Sequence, residues 1–432
     1  MAVDVHRKRL AVLIADADGN EVWRGRVAAT GEGEAELLRR LRSEDRTVLE
    51  STTGAYRLAN FLEGSGATVI MADPQHNRLV GMRGKKSDWR DCQALLSHLR
   101  AGELVAVWRP DAPTRELRQL TRERQAYNKS ITGLKSRLQM LLWDEGFSCP
   151  GNLWTKEGQA WLAEQPLRPA VRAIVGRQLA ALAGIQASKD ALEEELTQRA
   201  LGSEAAHRLM QIVGIGPQMA VMLLGELGEA ARFPHAKELV GYAGLDPRLD
   251  QSDGPPRRGL SITKAGRRAL RWLMVEAAWT HVRRSGPEAE QFHRLVKRGK
   301  PEGVAIVALA RRLLVRAWIL LVRGEPDRQL AATPYERKLA RLAAHRPWSD
   351  EAQLMNVDWA AEQVDRLTGT VSERRKQMQE RAVPRRRQQP RKRGAQSGTA
   401  ARGPTARGER FEFPAQAKSD PSERSPLAAG VD

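Results

Sequence analysis

The sequence is poor in cysteine and in long apolar runs, and each shortage excludes a class of protein. Cys92 and Cys149 are the only cysteines among the 432 residues, too few for a disulfide framework or a structural zinc site. No run of about 18 apolar residues occurs, which excludes a hydrophobic membrane span. The first residues also lack the basic and then apolar layout of a secretory signal peptide. We therefore expect a protein of the reducing cytoplasm.

Acidic residues are outnumbered, and the excess of positive charge indicates a polyanionic partner. Lys and Arg number 71 against 52 Asp and Glu, which gives a net charge of +19. Residues 371–432 hold 15 Lys or Arg and 7 Asp or Glu, so the preceding residues are basic in their own right. A nucleic acid is favoured because neutralised phosphates release condensed counterions. An anionic membrane is disfavoured because no segment combines basic and aromatic residues on one amphipathic face.

The first 105 residues alternate strand and helix patterns. Asp18-Gly19-Asn20 predicts a hairpin turn between two apolar, β-branched stretches. The predicted elements are strands at 2–15, 21–28, 47–50 and 68–72 and helices at 34–41, 56–64 and 88–101. This order, β-β-(β)-α-β-α-β-α, is typical of ribonuclease-H-like nuclease folds. The predicted fold class is therefore α/β for the N-terminal part, followed by an α part.

Apolar residues between 113 and 144 repeat at alternate steps of three and four, the spacing of a coiled coil or a long helical hairpin. The repeat consists of Leu117, Leu120, Tyr127, Ile131, Leu134, Leu138 and Leu141. A second helical stretch covers 171–196, and Cys149-Pro150-Gly151-Asn152 predicts a turn between the two. Two interpretations stay open: two antiparallel helices packed within one chain, or an arm through which copies dimerise.

Composition divides the chain into five segments. Residues 1–105 form the α/β domain, residues 112–200 the coiled-coil or helical arm, and residues 205–325 a second, mostly helical domain. Residues 326–370 form a helical extension. Residues 371–432 are rich in Arg, Gln, Pro, Ser and Gly and have almost no apolar side chains, so burial cannot offset the entropy of ordering them. We predict that this last segment is a disordered basic tail.

Four carboxylates stand where a sheet and a helix would gather them. Asp4 lies within the first strand, Glu50 ends a later strand, and Asp88 and Asp91 share one side of a helix start. In a ribonuclease-H-like sheet the first and fourth strands are neighbours, and the last helix crosses near their ends. Clustered carboxylates repel one another unless a hard cation such as Mg²⁺ or Mn²⁺ neutralises them. Singly, each carboxylate also fits a strand end, a helix dipole or an ion pair with Arg.

The segment from Ile212 to Pro217, with the helical stretch 219–227 behind it, has the form of a helix-hairpin-helix. Gly214 and Gly216 would let backbone N–H groups approach a phosphate, and the N-terminus of the following helix adds positive potential. The hairpin therefore predicts a grip on a nucleic-acid backbone that is independent of base sequence. The simpler interpretation is a glycine turn between two core helices.

The polar loop at 246–261 presents Ser252 among cationic side chains. A hydroxyl is a poor nucleophile unless cations stabilise the charge on the phosphorus it attacks. The cations in and after the loop are Arg248, Arg257, Arg258, Lys264, Arg267, Arg268 and Arg271. The last four fall on a helix predicted at 262–278, and with Trp272 and Trp279 interleaved they predict a nucleic-acid-binding face. A serine in such a loop is otherwise only a turn residue. The four tyrosines lack an Arg/His/Tyr setting, which disfavours tyrosine recombination.

Taken together, these segments resemble the DEDD-type transposases of the insertion-sequence-110 family, which includes Piv-like DNA invertases. The matching motifs, in family order, are Val3-Asp4-Val5, Glu50 to Tyr56, Lys86 to Asp91, Ile212–Pro217, Gly241 to Pro247, Ser252, and Ile262 to Gly266 followed by Leu270-Arg271. Any one of these motifs is weak, whereas the ordered set across residues 1–325 is specific. Asp253 departs from the family pattern, because glycine commonly follows the serine.

The resemblance implies a RuvC-like domain whose metal-binding catalytic residues map to Asp4, Glu50, Asp88 and Asp91. It also implies a helical transposase domain in which Ser252 attacks DNA and forms a transient phosphoserine link. The acidic site would come from a partner subunit, giving composite active sites in a homodimer or tetramer. Family members use an element-encoded noncoding bridge RNA to pair with DNA, so the expected partners are DNA and such an RNA, at the nucleoid.

Two alternatives from other functional classes stay open. A RuvC-like, structure-specific nuclease would hydrolyse DNA junctions with metal alone, without Ser252. A non-enzymatic nucleic-acid-binding protein would use its positive charge only, and its carboxylates would be structural. Transposition and site-specific inversion are variants of the leading interpretation, and the residues do not separate them.

Overall fold

The computed structural model describes residues 1–42, 44–52, 54–74, 87–248, 261–344, 360, 362–369 and 373. It shows a mixed α/β protein in which one five-stranded sheet occupies the N-terminal part and helices make up most of the rest. No helix within the described ranges combines the length and apolar character needed to cross a membrane. The predicted basic tail lies outside the described residues except for Glu373, so its predicted disorder stays a prediction.

The sheet has the strand order β3-β2-β1-β4-β5. Its strands are β1 (Ala2–Val5), β2 (Arg9–Ala15), β3 (Glu21–Ala28), β4 (Arg46–Glu50) and β5 (Thr68–Ala72). β1 pairs antiparallel with β2 and parallel with β4, which confirms the predicted neighbours. The predicted hairpin turn connects β2 and β3, where Asp16 accepts hydrogen bonds from the backbone and side-chain N–H groups of Asn20. The continuous apolar run in β2 fits a strand that is covered on both faces of the sheet.

Helices cover both faces of this sheet. On one face α1 (Gly31–Leu38) and α2 (Ala55–Gly64) pack over a cluster that includes Leu10, Leu49 and Leu58. On the other face α3 (Asp88–Ala101) packs over a smaller cluster that includes Ala2 and Val48. The predicted bounds of α3 are confirmed, and α1 begins three residues earlier than predicted. The important consequence is that α3 starts beside the ends of β1 and β4.

Two long helices follow the sheet and pack against each other. They are α4 (Ala112–Asp144) and α6 (Pro169–Leu201), with the short α5 (Lys156–Glu164) between them. The Asp111 carboxylate caps α4 by accepting from the backbone N–H of Thr114 at 2.9 Å. Of the predicted heptad residues, Ile131 and Leu138 are buried and the others are half-buried. The structure therefore shows the intramolecular helix pair, and dimerisation through the same arm stays a prediction.

The remaining described helices surround the largest apolar core. They are α7 (Glu204–Met210), α8 (Pro217–Leu227), α9 (Ala236–Ala243), α10 (Arg268–Arg283), α11 (Ala289–Lys297), α12 (Glu302–Arg323) and α13 (Ala332–Ala343). The predicted start of α10 at residue 262 was wrong, because Lys264 and Gly266 have φ angles of 54° and 99°, which no α-helix accepts. Trp272 and Trp279 are half-buried and pack against the core. They therefore do not form an exposed binding face.

Candidate metal centre and nucleic-acid face

The register between β1 and β4 places Asp4 beside Glu50. Ala2 lies opposite Val48 and Val3 opposite Leu49, so one further step brings Asp4 level with Glu50. Side chains alternate between the two faces of a strand, and Ala2 and Val48 both face the cluster under α3. Asp4 and Glu50 therefore share the face of the sheet that α3 covers. Sequence reasoning predicted this pairing of strands.

The N-terminus of α3 supplies the other two predicted carboxylates, Asp88 and Asp91. The helix begins at Asp88 because Ser87 adopts an extended conformation and its hydroxyl accepts from the backbone N–H of Arg90 at 3.4 Å. α3 packs against β1, β2 and β4. The first turn of the helix consequently faces the end of β1, where Asp4 stands.

His6 connects the strand to the helix and was not predicted as a site residue. Its Nε2 atom lies 3.0 Å from Oδ2 of Asp4 and 3.5 Å from Oδ1 of Asp88. One ligand atom from each of these three residues lies within 4.8 Å of the others. The pattern Asp-Val-His at the end of a strand could have revealed His6, because residues two apart point to the same face.

A second cation, Arg26, approaches Asp88 from the edge strand β3. Its guanidinium donates a hydrogen bond to Oδ2 of Asp88 at 3.0 Å, the carboxylate oxygen that His6 does not contact. The guanidinium also lies 5.4 Å from the ring centroid of Trp89, on which Arg24 stacks at 5.6 Å. Asp88 is thus held in place by β3 as well as by its own helix.

Burial and like charges shift the pKa of Asp4. The pKa of Asp4 is raised above its usual range, first because the carboxyl group is buried. The neighbouring charges of Asp88 and Asp91 raise the pKa further, whereas His6 lowers it. An added positive charge would therefore stabilise the ionised form of this group of acids.

The donor set fits a divalent cation. Asp4 and Asp88 offer carboxylate oxygens, which Mg²⁺ and Mn²⁺ prefer, and His6 offers an imidazole nitrogen. Glu50 and Asp91 lie outside the group of three whose ligand atoms are within 4.8 Å. The structure therefore brings two of the four predicted acids into direct contact with one unpredicted histidine. Glu50 stands on the same face by register, and Asp91 acts on Asp4 through its charge.

The predicted hairpin lies between α7 and α8, and side chains of α10 and α13 hydrogen-bond to its backbone. Gly214 has a φ of 99°, and a Cβ there would lie 2.4 Å from the carbonyl oxygen of Ala277, so only glycine fits. Nδ1 of His281 donates to the carbonyl of Val213 at 2.8 Å. The ammonium of Lys338 donates to the carbonyls of Met210 and Ile212 at 2.6 and 2.7 Å. These bonds fix the turn that precedes the N-terminus of α8.

The predicted cations divide into exposed and structural groups. Arg248, Lys264 and Arg268 are exposed. Arg267 instead pairs with the fully buried Glu226, with its Nη2 atom 2.7 Å from Oε2 of the carboxylate. Arg271 donates to the carbonyl of Ala243 at 3.0 Å, and burial lowers its pKa. The exposed three can reach a phosphate directly, whereas the other two mainly hold the local fold.

Ser252, Arg257 and Arg258 lie outside the described residues. Both ends of their loop are described, and they are joined to each other. The backbone N–H of Arg248 donates to the carbonyl of Ser261 at 3.0 Å, and Pro247 forms an antiparallel bridge with Ile262. The hydroxyl of Thr263 donates to the Asp246 carboxylate at 2.6 Å. The two described ends of the loop, at Arg248 and Ser261, are therefore hydrogen-bonded neighbours.

Comparison with known proteins shows the class of enzyme to which this chain belongs. Residues 1–145 match the family model of IS110-type DEDD transposases, so the chain is of the DEDD transposase class. Residues 206–294 match the model described as the transposase IS116/IS110/IS902 family. The two matches together cover more than half of the chain. The chain belongs to the IS110/IS116 family of transposases, enzymes that cut and rejoin DNA.

Individual relatives agree with this assignment. The chain is 26% identical over 353 residues to a putative transposase, y4qE, of Sinorhizobium fredii, covering 74% of this chain and 87% of the relative. It is 26% identical over 281 residues to the transposase for insertion sequence element IS1328 of Yersinia enterocolitica, covering 64% of this chain and 83% of the relative. A pilin gene-inverting protein of Moraxella bovis is 32% identical over 127 residues, 28% of this chain and 39% of the relative.

Proposed function

We propose that this transposase moves an insertion sequence by using a divalent cation at its acidic centre and Ser252 as the nucleophile. The observation that carries the proposal is the meeting of Asp4 and Asp88 with His6 at the end of β1, within the part of the chain that matches DEDD transposases. Asp4 and Asp88 would hold the cation, with Glu50 and Asp91 beside them. Bound Mg²⁺ or Mn²⁺ would neutralise charge on the phosphate and favour departure of the leaving oxygen.

The helical part would position DNA for this chemistry. The backbone N–H groups at the hairpin glycines Gly214 and Gly216 would donate hydrogen bonds to a phosphate at the N-terminus of α8. Lys264 and Arg268 are exposed and follow the point where the serine loop rejoins the fold, and they would neutralise neighbouring phosphates. The proposed segments are 1–105 for the RuvC-like domain, 112–200 for the arm, and 205–325 for the transposase domain with its helix-hairpin-helix.

The proposed assembly is a homodimer or tetramer with composite active sites, and the proposed guide is an element-encoded RNA. Both rest on the resemblance to the IS110 family. The basic surface fits DNA and RNA equally, because both present phosphates. The half-buried apolar residues along α4 and α6 would be the contact between copies.

Replacing the serine and the acids separates this proposal from its two alternatives. The assay follows recombination of a plasmid carrying the element's ends and detects covalent protein–DNA species after denaturation. Ser252→Ala is expected to abolish both, whereas a hydrolytic nuclease would keep cutting. Asp4→Asn and Glu50→Gln are expected to abolish cleavage, whereas a protein that only binds nucleic acid would show no cleavage to lose. Ser136→Ala and Asp18→Asn, at exposed positions, serve as matched controls that keep activity.

A further inference from the structure

The imidazole of His6 stands among the carboxylates of the acidic centre in the arrangement of a ligand. We infer that His6 is a third protein ligand of the cation and that it makes the centre prefer Mn²⁺ to Mg²⁺. This inference deepens the proposed function and rests on it, because it assumes that Asp4 and Asp88 hold a divalent cation.

The two distances from the His6 nitrogen to the carboxylates are those of atoms that share one ion. Ligand atoms about 2.1 Å from a common ion lie about 3.0 Å apart at adjacent octahedral positions and at most about 4.2 Å apart at opposite ones. Nε2 of His6 is 3.0 Å from Oδ2 of Asp4 and 3.5 Å from Oδ1 of Asp88. Both separations fall in this range, so the same nitrogen and oxygens can turn toward a single cation with small movements.

The backbone presents His6 to this position. β1 ends at Val5, and the backbone N–H of His6 donates to the carbonyl of Arg9 at 3.1 Å, which closes a tight turn into β2. His6 follows Asp4 by two residues, and its imidazole lies against Asp4 and Asp88 beside the start of α3. The side chain of His6 is 54% exposed, which leaves room for a cation and its water ligands on the outer side.

A role for His6 as a simple counter-ion explains less of the geometry. Arg26 already donates to Oδ2 of Asp88 at 3.0 Å, so that carboxylate has a permanent positive partner. His6 instead contacts Oδ1 of Asp88 and Oδ2 of Asp4 with a single ring nitrogen. One nitrogen placed between one oxygen of each carboxylate lets all three atoms reach a shared cation.

The imidazole nitrogen of His6 determines which metal ion the centre prefers. Mg²⁺ is bound mainly through oxygen, whereas imidazole suits transition metals, and Mn²⁺ accepts both kinds of ligand. Loss of His6 should therefore weaken Mn²⁺ binding and leave Mg²⁺ binding nearly unchanged, because the carboxylates remain.

The experiment measures Mn²⁺ bound to the full-length protein by electron paramagnetic resonance. Titration gives the Mn²⁺ affinity, competition gives the Mg²⁺ affinity, and electron spin-echo modulation detects a ¹⁴N nucleus coupled to the bound Mn²⁺. The variants are His6→Asn and His6→Gln, and the matched control is His235→Asn, an exposed histidine whose side chain does not cap its helix. Circular dichroism and thermal unfolding establish that each variant is folded.

We expect ¹⁴N modulation in the wild type and in His235→Asn and its loss in both His6 variants. The Mn²⁺ affinity of the His6 variants should fall by at least about tenfold, with the Mg²⁺ affinity changed by less than threefold. The inference is overturned if ¹⁴N modulation survives in folded His6 variants. It is also overturned if the ratio of Mn²⁺ to Mg²⁺ affinity is unchanged in them. Asp4→Asn tests the proposed function separately: Mn²⁺ affinity that survives this change refutes the metal centre itself, whichever result His6 gives.

Discussion

Lys338 offers a prediction that links stability to pH. The lysine lies on α13, and its ammonium donates to the carbonyls of Met210 and Ile212 just before the hairpin. Lys338 is half-buried, and both residues that accept from its ammonium are fully buried. The pKa of Lys338 is lowered from 10.5 to about 7, first by burial and then by the charges of Arg284 and Arg316. Folding therefore favours loss of the Lys338 proton.

The sign of the effect follows from the proton count. Between pH 7 and 10.5 the unfolded chain binds a proton at Lys338 that the folded protein has largely released, so the free energy of unfolding rises with pH. A shift from 10.5 to about 7 predicts a rise of about 1.6 kcal/mol between pH 7 and pH 8.5. This value is an upper limit, because the two carbonyl acceptors stabilise the ammonium.

The assay is urea unfolding of the full-length protein at several pH values from 7 to 8.5. Lys338→Met removes the titrating group, so the wild type should gain up to about 1.6 kcal/mol more than the variant across this range. Lys338→Arg supplies a second variant that stays charged and should also lack the gain. Lys237→Met, at an exposed lysine of α9, should keep the wild-type slope. Equal slopes for the wild type and both Lys338 variants would refute the reasoning.

Three further changes test the fold and the hairpin. In the same urea titration, Gly214→Ala should lower the free energy of unfolding by about 2 kcal/mol or more, because the φ of 99° is strained for alanine and its Cβ would meet a carbonyl oxygen at 2.4 Å. Gly216 has open space around it, so Gly216→Ala should lower the free energy of unfolding by under about 1 kcal/mol. In a thiol-reagent assay the native protein should expose Cys149 alone, because Cys92 is buried with a pKa raised to about 12; two equivalents reacting at once would contradict this. Leu196→Ala should cost about 2–5 kcal/mol in thermal unfolding, since Leu196 is fully buried in the largest core, and a smaller loss would mean that the core closes around the gap.

Periodicity predicted the elements well where burial is regular. The strand pattern placed the sheet, although the stretch 2–15 predicted as one strand is two antiparallel strands, β1 and β2. The three-and-four repeat placed α4 to within a residue of its start. Prediction failed at residues 262–267 because the dihedral angles of Lys264 and Gly266 depend on contacts with α9, such as the bond from the backbone N–H of Arg267 to the carbonyl of Tyr242. Apolar spacing carries no information about such contacts.

The candidate site was also only partly predictable from the sequence. Asp4, Asp88 and Asp91 could be named from the sequence, since strand order and helix phase limit where they can lie. His6 and Arg26 could not be assigned to Asp88 in advance, because their contacts with it depend on how α3 and β3 pack at the sheet edge. Arg267 was expected to face DNA, but it pairs with Glu226, which is fully buried.

Sequence alone determined the charge of this transposase, the order of its elements and the acids on its first and fourth strands, because these depend on composition and on local periodicity. Tertiary structure alone decided which atoms meet: His6 between two carboxylates, Lys338 beneath the hairpin, and Arg267 against a buried acid. The physical reason is that such contacts join residues far apart in the chain. Their existence depends on the packing of whole helices and strands, which side-chain spacing along the sequence does not specify.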